Sequence, residues 1–168
     1  MRWMWIDQIV EYSPPPPEGE GRLAAVKNVS LSEDHLHDHF PARDGREAQP
    51  VMPASLMIEG MAQTAGILVG SVHGFREKVI LAKIVSAKFD SDAFPGETIR
   101  YEAKLERIDS VGASTSGTVQ RMRHLGADAG KWITIGSVEL LFAHLDQNMA
   151  GVEFPEENFV FSDNFRTI

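Results

Sequence analysis

The longest unbroken pattern in the chain is apolar. Residues 55–72 contain no Pro, and apolar or small side chains fall on every side of a helical projection, which predicts a helix buried all round. It is expected to begin at Ala54-Ser55 and to stop near residues 70–74, where glycines offer a C-terminal cap. Before it, residues 3–12 are rich in aromatic and β-branched side chains and read as a first strand. Pro14, Pro15, Pro16 and Pro17 end that strand in a stiff hairpin connection, and residues 22–30 alternate as a second strand. After the helix come strand-like runs at 78–90, 97–109, 113–124 and 131–145, with turns at 94–97 and 126–130. Alternation through Ile99, Tyr101, Ala103 and Leu105, and through Ile133, Ile135, Ser137, Glu139 and Leu141, predicts a sheet with one buried face. Two strands, a buried helix and an antiparallel run make an α+β order, and a curved sheet wrapped around the helix is the simplest way to bury it.

Composition narrows the setting. A length of 168 residues fits one domain, and 43% hydrophobic with 24% charged residues is ordinary for a globular protein. Without Cys there is no disulfide scaffold, thiolate nucleophile or Cys-based zinc site, which is compatible with a reducing cytosol. No basic segment precedes an apolar one at the start, so no signal peptide is expected. The stretch 51–72 approaches membrane-spanning length, but Glu59, Gln63 and several glycines interrupt it, and a core helix is the expectation. A net charge of -8 argues against nonspecific nucleic-acid binding. The last segment, 146–168, is acidic yet carries Phe154, Phe159, Phe161 and Phe165, so it reads as an extension with docking potential.

The candidate chemistry starts with Glu59, a lone acid in an apolar helix. Such a group is costly unless paired, hydrogen-bonded or protonated. Gln63 lies one turn on along the same face, and the Pro-rich loop brings in the imidazole of His39, so an acid and a base can meet in one dry place. His35, His37 and His39 would share a side, and with Asp34 or Asp38 could hold a metal, if the segment were extended. A helix or turn there scatters them, and no metal is expected. Residues 42–49 are polar and read as an exposed insertion in a long loop.

The whole string, His39-Phe40-Pro41, then Pro50-Val51-Met52-Pro53, a small residue and a helix holding Glu59-Gly60-Met61-Ala62-Gln63, resembles the signature of the 3-hydroxyacyl-acyl-carrier-protein dehydratases of fatty-acid synthesis. The likeness runs from Ile6 to about Leu145, so residues 1–145 are expected to form one hotdog domain. The resemblance implies elimination of water from a 3-hydroxyacyl thioester, carried by acyl carrier protein or coenzyme A, to the trans-2-enoyl thioester, with no cofactor. It also implies a homodimer, extensible to a trimer of dimers, whose composite sites take His39 from one subunit and Glu59 from the other. In that scheme His39 removes the C2 proton and Glu59 protonates the departing hydroxyl. Ala54 supplies the oxyanion-binding amide, the Val51 carbonyl orients the imidazole, Gln63 holds Glu59, and Phe40, Pro53, Leu56, Phe89 and Phe94 line the substrate.

Three departures stand out from the resembled pattern. Ala54 replaces a usual Gly, and the extra methyl costs something if the backbone there has positive φ or the thioester must approach very closely. The insertion 42–49 lengthens the connection before the helix. Asp90-Ser91-Asp92 replaces basic residues suited to a phosphopantetheine phosphate and an acidic carrier, so weaker, salt-enhanced binding of such a carrier, or use of another donor, is expected. A hotdog acyl thioesterase and a noncatalytic acyl-binding subunit are the alternative readings.

Overall fold

The computed structural model describes residues 3–145; the acidic segment 146–168 lies outside them. Eight elements follow in order: β1 (Gln8–Ser13), β2 (Arg22–Asn28), α1 (Asp34–Asp38), α2 (Ala54–Val72), β3 (Lys78–Phe89), β4 (Glu97–Ile108), β5 (Gly112–Arg123) and β6 (Trp132–Leu145). The strands form one antiparallel sheet in the order β1-β2-β4-β5-β6-β3, and α2 packs across it. Alternation builds the core as expected on β4, where Ile99, Tyr101 and Ala103 are buried against Met57, Met61, Ala65 and Leu68 of the helix. The approach of helix to sheet depends on Gly60. A Cβ there would lie 2.4 Å from the Tyr101 ring, so the phenol lies directly on the helix backbone.

Three expectations need correction. The first strand starts at Gln8 rather than Trp3, because Trp3 and Trp5 spend their backbone groups on the Gln63 side chain of α2. On β6 the phase of alternation flips. Gly136 pairs with Val119 while Thr134 already pairs with Gln120, a β-bulge at Ile135. The buried set is therefore Ile135, then Val138, Leu140 and Phe142, while Ile133 and Leu141 face outward. Finally, α2 is enclosed on one side only. Leu56, Glu59, Gln63 and Gly66, at helical spacing, form a half-buried flank that a single sheet does not cover.

The edge strand β3 is bonded to β6 alone among the described residues and leaves Leu81, Ile84 and Val85 exposed. α2 is long and apolar enough to cross a membrane, but 61% of that stretch is buried beneath the sheet, which makes it a core helix.

Candidate active site

His39 follows α1, a five-residue helix anchored by the buried Leu36. Because that segment is helical, the three imidazoles part company. His35 packs edge-on against Trp5, with ring centres 5.1 Å apart, and His37 Nε2 donates to the Leu31 carbonyl at 2.9 Å. His39 Nδ1 lies 2.8 Å from the Val51 carbonyl oxygen. A carbonyl only accepts, so Nδ1 carries the proton, and in the neutral ring Nε2 holds the lone pair. The ring stacks on Phe40 at 4.2 Å.

The insertion is a hairpin rather than a flexible loop. The amides and carbonyls of Phe40 and Gln49 exchange bonds of 2.7 and 2.9 Å, Val51 N–H donates to the His39 carbonyl at 2.7 Å, and Arg43 pairs with Arg46 around Asp44-Gly45. Asp44 and Gly45 both have positive φ, 52° and 79°, the two-residue turn whose twist matches paired strands. Asp-Gly between the two arginines was the sequence signal for it.

Glu59 is half-buried on the open flank of α2, not enclosed as the sequence pattern suggested. Gln63 Nε2 donates to Glu59 Oε1 at 2.9 Å and to the Trp3 carbonyl at 2.9 Å, while Gln63 Oε1 accepts from Trp5 N–H at 2.9 Å. The backbone partners fix which end of the amide faces the acid. With Oε1 engaged, Glu59 Oε2 is the oxygen left for chemistry. Sequence reading reached the Glu59–Gln63 pair; it missed that the residues before β1 clamp Gln63 from behind.

Between these halves lies the start of α2. Leu56 and Met57 N–H bond to the Pro53 carbonyl, which leaves the first amides, Ala54 and Ser55, at the positive end of the helix dipole without intrahelical acceptors. Positive φ among the described non-Gly residues is confined to Asp44 and Phe75, so the backbone at Ala54 does not require Gly. Pro53 and Leu56 are half-buried beside it, Phe40 is 57% exposed at the hairpin root, Phe89 is half-buried at the end of β3, and Phe94 is half-buried in the loop before β4. The Met52 N–H donates to the Ala93 carbonyl at 2.9 Å, tying the helix start to the loop carrying Asp90 and Asp92. That loop is acidic in sequence but not isolated from cations: Arg121 reaches the Asp92 carbonyl, and Arg121 and Arg123 pair with Glu97 at 3.7 and 2.9 Å. In a single chain no hydrogen bond or ion pair joins His39 to Glu59 among the described residues.

A helix held in a wrapped antiparallel sheet, with a lone His before it and an acid one turn into it, is the hotdog architecture of acyl-thioester proteins. Solved structures agree on the fold. A thioesterase family protein from Silicibacter pomeroyi superposes with a TM-score of 0.61 at 14% identity over 82% of this chain and 83% of that one. An acyl-CoA hydrolase from Staphylococcus aureus, solved with butyryl coenzyme A and coenzyme A, gives 0.56 at 16% identity over 76% and 67%. Sequence relatives are nearer. The 3-hydroxyacyl-[acyl-carrier-protein] dehydratase FabZ of Rickettsia bellii is 35% identical over 129 residues, 76% of this chain and 81% of that protein. FabZ of Solibacter usitatus is 32% identical over 119 residues, 68% and 65%. The FabA-like domain profile matches residues 2–124, and the chain belongs to that family, the 3-hydroxyacyl-[acyl-carrier-protein] dehydratases.

Proposed function

We propose that the chain dehydrates a 3-hydroxyacyl thioester to the trans-2-enoyl thioester in fatty-acid or related acyl-chain synthesis, and that it is accordingly a lyase. The observation carrying this reading is the 2.8 Å bond from His39 Nδ1–H to the Val51 carbonyl, which presents Nε2 as a base.

The step balances without a cofactor. Nε2 takes the C2 proton; the released pair forms the C2–C3 double bond; the C3–O bond breaks, and the hydroxyl leaves as water with a proton from Glu59 Oε2. The imidazolium and carboxylate that remain are reset by passing one proton from His39 to Glu59 through water. Charge gathering on the thioester oxygen in the transition state meets the amides of Ala54 and Ser55 at the helix start, and a single donor of this kind is worth roughly 10²–10³ in rate. Val51 orients the base and Gln63 the acid, so neither rotates away during the reaction. Phe40, Pro53, Leu56, Phe89 and Phe94 surround the acyl chain.

The functional unit in this reading is a homodimer. An exposed apolar edge strand, β3, invites a second copy to extend the sheet, and a partner's helix beside α2 would cover the Leu56–Glu59–Gln63 flank. Each site then draws His39 from one subunit and Glu59 from its partner, consistent with their lack of contact within one chain.

Hydration of trans-2-enoyl thioesters, followed by loss of enoyl absorbance, tests the chemistry in reverse. Turnover with no free thiol released from a saturated acyl thioester supports the dehydratase. Thiol release from the saturated substrate, without hydration, would reassign the fold to hydrolysis.

A further inference from the structure

We infer that Arg43 and Arg46 form a clamp for the phosphate ester on the pantetheine handle of the thioester substrate. The inference rests on the dehydratase reading only for the identity of the thioester; the clamp itself is argued from the hairpin.

Arg43 and Arg46 are the directly opposed pair at the end of the hairpin, joined by Arg46 N–H to the Arg43 carbonyl at 3.0 Å. Opposed residues of an antiparallel pair project to the same face with Cβ atoms about 5 Å apart, and like charges so placed repel. Neither guanidinium forms an ion pair among the described residues, a state shared with Arg76, Lys78, Lys83 and Lys88, but only Arg43 and Arg46 are held opposite each other across a closed turn. Two exposed, unpaired guanidiniums held side by side on a closed turn suit an anion that can bridge both, and a phosphate offers enough oxygens to take a forked contact from each.

Position agrees with that ligand. The hairpin is rooted at Phe40 and Gln49, next to the base His39, and a cavity of about 850 Å³ lies along it, lined by Phe40, Pro41, Arg43, Asp44, Arg46, Glu47 and Gln49. From His39 to Arg43 the chain covers four residues, ~13 Å when extended. A pantetheine handle spans roughly 16 Å between sulfur and phosphorus by standard bond lengths, so the phosphate of a thioester seated at His39 reaches the arginines. The loop tied to Met52 through the Ala93 carbonyl offers Asp90 and Asp92, which disfavour an anion, whereas the hairpin supplies Arg43 and Arg46. Asp44 and Glu47 cancel the hairpin's net charge, so recognition is by close contact and not by long-range steering.

Coenzyme A and a carrier protein share this phosphate chemistry, and the test separates them. Coenzyme A binding is measured by titration calorimetry with the 168-residue chain and its Arg43→Gln/Arg46→Gln variant at fixed ionic strength. Hydration kinetics are then run with enoyl thioesters of coenzyme A, of an acyl carrier protein and of phosphate-free pantetheine. The expected result is about tenfold weaker coenzyme A binding, an equal rise in KM for both phosphate-bearing substrates, and KM for the pantetheine thioester and all kcat values within about twofold of the parent. An unchanged melting curve shows that the hairpin has not disturbed the core, and Arg43→Lys/Arg46→Lys should recover part of the affinity. Equal coenzyme A affinity in the two proteins, no measurable binding to the parent, or an equal KM rise for pantetheine would overturn the clamp. A rise confined to the carrier substrate would also overturn it, by moving recognition to the carrier's own surface. Arginine-dependent coenzyme A binding without hydration of any thioester would retain the clamp and remove the dehydratase reading; hydration with unaltered binding would do the reverse.

Discussion

Glu59 rides on a 19-residue helix packed against the sheet, whereas His39 sits where a five-residue helix gives way to a hairpin whose tip lies in solvent. The acid's place depends on contacts remote in sequence: Gly60 on Tyr101, and Gln63 on Trp3 and Trp5. The base's place depends on local backbone bonds, from His39 to Val51 and from Phe40 to Gln49. One half is thus coupled to global stability and the other is nearly independent of it. Changes on the helix side should cost stability and rate together, while changes on the hairpin side should cost affinity or rate at constant stability.

Removing the reacting groups breaks both halves most severely. His39→Ala and Glu59→Gln should each lower kcat by on the order of 10²–10⁴ with unchanged circular dichroism. Mixed under conditions that permit subunit exchange, the two inactive proteins should regain up to about a quarter of the activity per site, since random pairing rebuilds one of two sites in half the dimers. Heterodimers that form yet stay inactive would refute shared sites. The next effect isolates the helix side: Gly60→Ala drives a methyl into the Tyr101 ring and should destabilise the fold by about 1–3 kcal/mol in urea melts while lowering kcat, because Glu59 is the adjacent residue. If Gly60→Ala melted like the parent, the tight helix-to-sheet contact would be wrong.

How far the sequence spoke for each half follows the same division. The helix and its Glu59–Gln63 spacing were legible because period and spacing are local properties of one segment. The role of Val51 was legible only through family resemblance, since nothing in spacing says that a carbonyl twelve residues on meets the imidazole. The phase flip on β6 was not legible, because the bulge at Ile135 is accommodated by a contact across strands, where Gly136 lies against the Lys88 carbonyl. Nor was the clamp of Trp3 and Trp5 on Gln63, whose partners lie about sixty residues apart. The hairpin at 40–49 is different. Its Asp-Gly turn was in plain view, and polarity alone led to the expectation of a flexible loop.

On the hairpin side, Asp44→Ala/Gly45→Ala adds a Cβ at the positive φ of Gly45, a cost of about 1–2 kcal/mol, and removes at Asp44 a side chain that tolerates positive φ better than Ala does; opening the hairpin relieves both. Because the core is not involved, Tm should move by less than about 2 °C while KM for phosphate-bearing thioesters rises. A Tm loss matching that of Gly60→Ala would show the hairpin to be part of the core's cooperative unit and would erase the contrast between the halves.

The smallest expected effect lies where the two halves meet. His35, packed on Trp5 from the acid's side and only four residues before the base, has its pKa held below the ordinary value by burial, with Glu33 and Asp34 pulling upward and Lys27 and His39 pushing down. A folded-state value below the unfolded one means that the unfolded chain binds the extra proton first as pH falls. His35 therefore contributes nothing to the pH dependence well above about 6.5, and stability declines as pH drops through that value toward the folded pKa. His35→Gln removes this slope without adding charge, so the parent should lose more urea-midpoint stability than the variant between pH 7.5 and 5.5. An equal loss in both proteins would mean that the imidazole is not desolvated at the Trp5 contact, and that the N-terminal segment covers the helix less closely than its bonds to Gln63 require.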